Sequence, residues 1–346
     1  MNPSRWKAAN LPRAKLVFAT ATLTLLATAC SKDAPLNFLH PEGPIARKAD
    51  RLWDLTFGIA VVIFVLVEGA LLFVVIKYRQ KSKNDAPKQI HGNTRLEVIW
   101  TLIPVVLLAA VAIPNVKGIA DLYAKPKGDP LEVTVVAHQW WWEYRYGASG
   151  LVTANELHIP VDRPVYLTLE SVDVIHSFWV PKLAGKQDLV PGRKNSMTLI
   201  AEKPGEYLGT CAEYCGLSHA NMRLKVFAHE AADFDEWLDG QLLEAESPSD
   251  SLAAKGEEVF MKGDCVQCHA IKGTEAAATF APDLTHFASR TTFAGSIFPN
   301  DTENLRLWLR DAPSRKPGSK MPSGIKDMGL DDQDIEALIA YLQSLK

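Results

Sequence analysis

Two clusters of side chains have types and spacings suited to electron-carrying cofactors. The first is Cys211-Ala-Glu-Tyr-Cys215-Gly-Leu-Ser-His219-Ala-Asn-Met222, which gathers two thiols, an imidazole and a thioether on one short stretch. Such donors select copper over magnesium or calcium, and a trigonal Cys/His set with a weak axial Met is a copper electron-transfer site. This stretch has one thiol more than that site uses. Both sulfurs could bridge two metal ions if another His arrives from elsewhere, and His176, in Asp173-Val-Ile-His176-Ser-Phe-Trp179, is the supplier at hand. A disulfide is the usual fate of neighbouring cysteines in an exported domain, and mixed Cys/His sets also bind zinc; neither uses Met222 or the distant His176. The second cluster is Cys265-Val-Gln-Cys268-His269, the Cys-x-x-Cys-His form of covalent c-type haem attachment. Two thioethers fix the porphyrin edge, and the adjacent His has only to turn inward to bind iron. A redox-active Cys pair is the alternative.

A second axial ligand must come from far along the chain, as Met/His ligation does in electron-carrying cytochromes. Met261 falls on the helix leading into the haem motif and suits the core. Met321, in Gly318-Ser-Lys-Met321-Pro322, and Met328, just before the last helix, both remain open.

These clusters need elements to hold them. With 346 residues and 47% hydrophobic composition, the chain has room for two or three domains and carries enough apolar sequence to place part of itself in lipid. A net charge of -3 offers no basic surface for nucleic acid. Residues 55–76 form an apolar run of bilayer-spanning length, and 98–116 form a second that contains Pro104 and Pro114. Between them lie Lys77, Arg79, Lys81, Lys83, Lys88 and Arg95; short positive loops stay cytoplasmic, so both ends of the hairpin face outward. At the start, Arg5, Lys7, Arg13 and Lys15 precede the apolar run 16–26, Ala27-Thr-Ala29 and Cys30. That is the form of a secretory signal peptide, after which Cys30 is either lipidated or simply the mature N-terminus. Intramembrane acids imply contact with a partner or with water: Glu68 in the first run suits burial against another subunit, and Glu97 stands at the lip of the second.

Beyond residues 125–130 the pattern changes to short β-branched and aromatic runs at 131–137, 166–171, 196–201 and 223–227, which predict a β-sandwich or barrel. Trp140, Trp141 and Trp142 cannot all face one side, because strand side chains alternate. His138 and His158 are taken as structural or exposed. A helix is expected at 232–243, then a polar linker at 244–250 that marks a boundary. A last helix starts at the cap Asp331 and buries Ile335, Leu338, Ile339 and Leu342 as one stripe. All five cysteines are thereby assigned.

The Cys-x3-Cys-x3-His-x2-Met loop with its upstream Val-Ile-His-Ser-Phe resembles the binuclear copper site, CuA, of cytochrome c oxidase subunit II. Agreement extends to His138-Gln-Trp140-Trp-Trp142-Glu-Tyr-Arg-Tyr146, Pro191-Gly192-Arg193 and Leu96-Glu97-Val-Ile-Trp100-Thr-Leu-Ile-Pro104, from about Leu55 to Trp237. Met321-Pro322 resembles the Met-Pro loop of small cytochromes c, which favours Met321 over Met328. The organisation is similar to bacterial oxidases whose subunit II carries its own cytochrome c. The resemblance implies a signal peptide at 1–29, an external segment at 30–54 and a two-helix transmembrane hairpin at 55–116. It further implies an all-β cupredoxin-like barrel at 117–240, a linker at 241–251 and an all-α class I cytochrome c domain at 252–346.

By the same resemblance, Cys211 and Cys215 bridge the coppers, His176 and His219 bind one each, and Met222 and the Glu213 carbonyl are weak ligands. Cys265, Cys268, His269 and Met321 hold the haem. Trp140, as a surface indole over the coppers, is where electrons enter; Glu97 is the mouth of a proton path; Glu213 can contribute to a magnesium site at the subunit I interface. The implied function is the electron-receiving subunit of a proton-translocating haem-copper oxidase in a bacterial cell membrane, both redox domains outside. Its partners are subunits I and III and an external donor, either a bc-type complex or a soluble cytochrome c. A nitric-oxide-reducing partner, or a non-catalytic copper or redox carrier used in oxidase assembly, would suit the same modules. A short flexible linker puts a tethered donor at an effective concentration of order mM.

Overall fold

The computed structural model describes residues 17, 18, 20, 34–80, 89 and 91–346. Apart from Val17, Phe18 and Thr20, the signal-peptide residues up to Ala29, together with the lipidation of Cys30 and the charges at Lys81, Lys83 and Lys88, are expectations that lie outside the described residues.

Two long helices, α1 (Pro44–Lys77) and α2 (Thr94–Tyr123), carry the apolar runs, and their apolar windows are unburied by protein. Both extend past the runs at 55–76 and 98–116, because the added turns serve a different purpose. The start of α1 lies on the β domain: Ala46 is buried and donates its N–H to the Leu183 carbonyl at 3.1 Å. Arg47 pairs with Glu202, and Lys182 reaches Glu42 at 3.0 Å. Gly43 passes so near this surface that a Cβ there would sit 2.2 Å from the Ile200 carbonyl oxygen. The first span therefore leaves the β domain in a fixed direction. At the far end, the Asn93 side chain caps α2 by accepting from the Arg95 and Leu96 N–H groups. Glu97 sits in that first turn, where the helix dipole favours a carboxylate.

The β domain is a sandwich of two five-stranded sheets. One comprises β1 (Leu131–His138), β2 (Trp141–Tyr146), β3 (Val152–Ala154), β5 (Val165–Ser171) and β8 (Asn195–Leu199), in the order β3-β2-β1-β5-β8. The other comprises β4 (Glu156–Pro160), β6 (His176–Trp179), β7 (Gln187–Leu189), β9 (Gly205–Cys211) and β10 (Arg223–His229), in the order β4-β10-β9-β6-β7. Alternation fills the space between them: Val165, Leu167 and Leu169 of β5 are fully buried while Tyr166 and Thr168 face outward. Trp142, Tyr144 and Phe178 join the same core. A helix, α3 (Ala231–Gln241), closes one end. Register brings the chemistry together. Phe178 of β6 pairs with Cys211 of β9, and Thr210 of β9 pairs with Arg223 of β10. The loop 212–222 therefore opens at the end of the sandwich where His176 begins β6.

The C-terminal domain is built on the crossing of α4 (Ser251–Lys262) with α7 (Asp332–Ser344), joined by the short helices α5 (Thr302–Arg310) and α6 (Ala312–Arg315). Gly256 permits the close crossing, since a Cβ there would lie 1.9 Å from the Ala337 carbonyl oxygen. Asp331 and Asp334 cap each other's backbone at the start of α7. The domain is not wholly helical, because it carries a small hairpin, β11 (Thr292–Phe293) and β12 (Phe298–Pro299).

That hairpin docks on the β domain. The buried Glu156 carboxylate accepts from the Thr291 N–H at 3.1 Å and hydroxyl at 2.6 Å, and from the Thr292 N–H at 2.8 Å and hydroxyl at 2.7 Å. Arg223 adds a backbone bond to the Gly295 carbonyl at 3.0 Å. Burying a carboxyl group is costly unless it is hydrogen-bonded, and these bonds meet that need. The linker thus joins two domains held in one arrangement, and fixed contact takes over from the tether's effective concentration.

Candidate metal and haem centres

The loop 212–222 is closed at its base by the Cys211 N–H donating to the Met222 carbonyl at 2.9 Å, and tied to β6 by Ala212 N–H donating to the Ser177 carbonyl at 2.9 Å. Inside it the two sulfurs stand 3.8 Å apart and unbonded, far beyond a disulfide bond of about 2.05 Å. His176 Nδ1 lies 3.9 Å from the Cys211 sulfur and His219 Nδ1 lies 3.6 Å from the Cys215 sulfur. The Met222 sulfur is 3.9 Å from that of Cys215, and the Glu213 carbonyl is 3.3 Å from that of Cys211. Ligand atoms of His176, Cys211 and Cys215 all fall within 4.8 Å of one another. These are six donor atoms converging on one space, more than the four of a tetrahedral structural zinc, and their softness suits copper.

Asp173 is a member of this site that spacing alone did not single out. Its carboxylate accepts from His176 Nε2 at 2.8 Å and from the Gln139 N–H at 2.6 Å. The proton is thereby fixed on Nε2, leaving the Nδ1 lone pair toward the sulfur, the usual way a protein orients a metal-binding imidazole. Burial raises the Asp173 carboxyl, but these hydrogen bonds outweigh it and hold the group below its ordinary value. The Cys211 thiol is held below its ordinary value, chiefly by its hydrogen bond with Cys215. The same contact drives Cys215 upward.

The haem motif lies on a 3-10 turn, Asp264–Gln267, in which the Cys268 and His269 N–H groups both donate to the Cys265 carbonyl, at 3.1 and 3.0 Å. His269 Nδ1 faces the Pro282 carbonyl at 2.7 Å, which leaves Nε2 for iron. Burial lowers the imidazole's pKa against that hydrogen bond, keeping it neutral as a ligand must be. Cys265, Cys268 and His269 line a cavity of about 710 Å³ to which Met321 and Met328 also contribute. Phe293 and Trp308 supply apolar wall, and the half-buried Arg290 guanidinium supplies charge suited to a porphyrin's carboxylates. The residues present fit a haem.

Part of this cavity wall belongs to the β domain, including Gln139, Trp140, Trp141 and Asp173. Trp140 is 8% exposed, so it is not a surface indole; the C-terminal domain covers it. Its Nε1–H donates to the Cys215 carbonyl at 2.9 Å, which ties the ring to the metal loop. Trp141 is half-buried and stacks on His138 with ring centroids 4.1 Å apart, while Trp142 turns into the core. His138 is held by Glu143 at 3.0 Å. The half-buried His158 pairs with His229 at 2.8 Å and stacks on Trp237. Both histidines are structural.

Comparison with known proteins adds the ancestry of each part. The profile described as cytochrome c oxidase subunit II, transmembrane domain, matches residues 31–117; that of its periplasmic domain matches 147–228; that of cytochrome c matches 253–346. Cytochrome c oxidase subunit 2 of Alkalihalophilus pseudofirmus is 41% identical over 94% of this chain and 95% of its own length. That of Bacillus subtilis is 36% identical over 96% and 98%. Among solved structures, the periplasmic domain of subunit II of cytochrome oxidase of Bradyrhizobium japonicum is 30% identical, with a TM-score of 0.32, over 34% of this chain and 95% of that one.

Proposed function

Because the chain belongs to the cytochrome c oxidase subunit II family and carries a C-terminal cytochrome c domain, we propose that it is the electron-receiving subunit of a proton-translocating oxygen reductase. It is a subunit of a terminal oxidase with two membrane spans, a copper-type domain and a haem c domain. In the proposed route one electron at a time passes from an external donor to the haem on Cys265, Cys268 and His269, then to a binuclear copper centre, then to subunit I. Both cofactors, when bound, supply reversible one-electron chemistry. The chain's own residues supply position. Cys211, Cys215, His176 and His219 would hold the coppers, with Met222 and the Glu213 carbonyl as weaker ligands. Asp173 holds the His176 ring, and Met321 would be the second haem ligand. The observation that carries this reading is the burial of Trp140 between the two sites, hydrogen-bonded to the metal loop and lining the haem cavity. Rapid mixing of the oxidised complex with its donor should show the haem reduced before the copper pair. Copper reduction preceding that of the haem would overturn the order.

Glu97 is proposed as the mouth of the proton path, and the Glu213 carboxylate as a magnesium ligand at the interface with subunit I; subunits I and III are the partners. Both redox domains lie on the outer face, in keeping with Lys77 ending the first span and Arg95 opening the second. A reporter fused after Lys83 is expected to be cytoplasmic and one after Asp250 external. The opposite pattern would remove the basis for haem attachment to Cys265 and Cys268.

A further inference from the structure

Three consecutive residues of the haem domain, Lys316, Pro317 and Gly318, each contact the path between the two cofactor sites. The Lys316 side-chain amine is buried and donates to the Trp140 carbonyl at 2.5 Å and to the Ala294 carbonyl at 2.6 Å. No carboxylate lies among these hydrogen-bond partners. The Pro317 carbonyl accepts from the Ser218 hydroxyl of the metal loop at 2.7 Å. Gly318 lies against the indole itself, for a Cβ there would stand 2.5 Å from Cη2 and 2.7 Å from Cζ3 of Trp140. On the indole's other contact, Gly216 of the metal loop would place a Cβ 3.1 Å from Trp140 Cζ2. The indole is thus gripped by backbone, with glycine from one domain at each contact, while an amine from the haem domain holds its main chain. The turn is closed by the Ser319 N–H donating to the Lys316 carbonyl at 2.9 Å, and it ends just before Met321.

We propose that the Lys316–Gly318 turn is an internal docking element: Lys316 is a positioning residue that seats Trp140 between the haem cavity and the metal loop, and the seated turn closes Trp140 to external donors. This deepens the relay reading and rests on it. Burying a long amine side chain is costly unless its hydrogen bonds are met, and here the Trp140 and Ala294 carbonyls meet them. The two carbonyls would lose their donor if it were removed. The step served transfers one electron from reduced haem iron to the oxidised copper pair, with no bond made or broken.

The test uses the full chain in its complex, loaded with haem and copper, with Lys316→Met and Gly318→Ala as variants. Oxidative footprinting read by mass spectrometry reports the accessibility of Trp140, and photoreduction of the haem followed optically reports transfer to copper. Both variants should expose Trp140 to labelling and slow haem-to-copper transfer about tenfold, equivalent to about 1.4 kcal/mol in activation free energy. Haem and copper spectra should stay those of the unchanged protein. Unaltered transfer and labelling in Lys316→Met would overturn the positioning role even if Gly318→Ala fails to take up haem. A different result marks failure of the relay itself: Trp140 is protected in a Lys316-dependent way, but the unchanged protein passes no electrons from haem to copper. The docking role would then stand without the electron step.

Discussion

Replacing Cys215 with Ser is expected to abolish the paired copper centre while leaving the haem spectrum intact. The two sulfurs lie 3.8 Å apart with a His nitrogen near each. If both sulfurs bridge, each ion depends on both, and loss of one leaves at most a single ion on Cys211 and His176. A hydroxyl is also a hard, un-ionised donor at neutral pH, whereas soft thiolate is what retains copper here. The haem domain has its own core, made of residues such as Phe260, Leu338 and Tyr341, so it has no reason to lose its cofactor. Met222→Leu is the internal control. Removing a weak axial thioether should shift the copper potential more than the copper content, because the axial ligand tunes such sites rather than holding the metal. Metal analysis and electron paramagnetic resonance on both variants decide the matter: two coppers per chain in Cys215→Ser would end the bridging assignment.

What the sequence made legible follows from how local each feature is. The metal loop and the haem motif are short runs whose donors are neighbours in the chain, so spacing was sufficient to name their chemistry. His176 needed the partnership of β6 with β9, and the motif around it supplied that. The spans were legible from apolar length, although the first turns of α1 belong to the β domain and carry Arg47 and Lys48. The contacts between domains were not legible. Glu156 meets Thr291 and Thr292, and Lys316 meets Trp140, across 135 to 176 positions of chain. Lys316 stands in a polar, Pro/Gly-containing run that reads locally as a solvated loop, and nothing periodic marks it as buried. Trp140 was singled out for the right neighbourhood but set on an open surface, because a β domain read alone has no lid there. Glu68 lies exposed on α1, facing whatever the span meets in the membrane.

Deleting all residues after Asp250 is expected to keep the copper site but reduce the rate at which the natural donor reduces it by about 10²-fold or more, when soluble cytochrome replaces the attached domain at micromolar level. The β domain should survive the cut, because its core is drawn from its own two sheets and α3. Glu156 would lose its four hydrogen bonds yet return to water, which can replace them. Trp140 would lose the cover of Gly318 and open to solvent. Soluble cytochrome could then approach it directly, but only at its bulk concentration, and an intramolecular partner is worth 10² to 10⁴ over that. Docking through Glu156 and Lys316 adds orientation that a tether alone does not supply. Trp140→Ala should slow copper reduction in both the intact and the shortened chain, since either donor must use the same surface. Stopped-flow traces separate the outcomes. If the shortened chain is reduced by the natural donor as fast as the whole one, the haem domain does not relay electrons to the copper site, and its docking on Trp140 has another purpose.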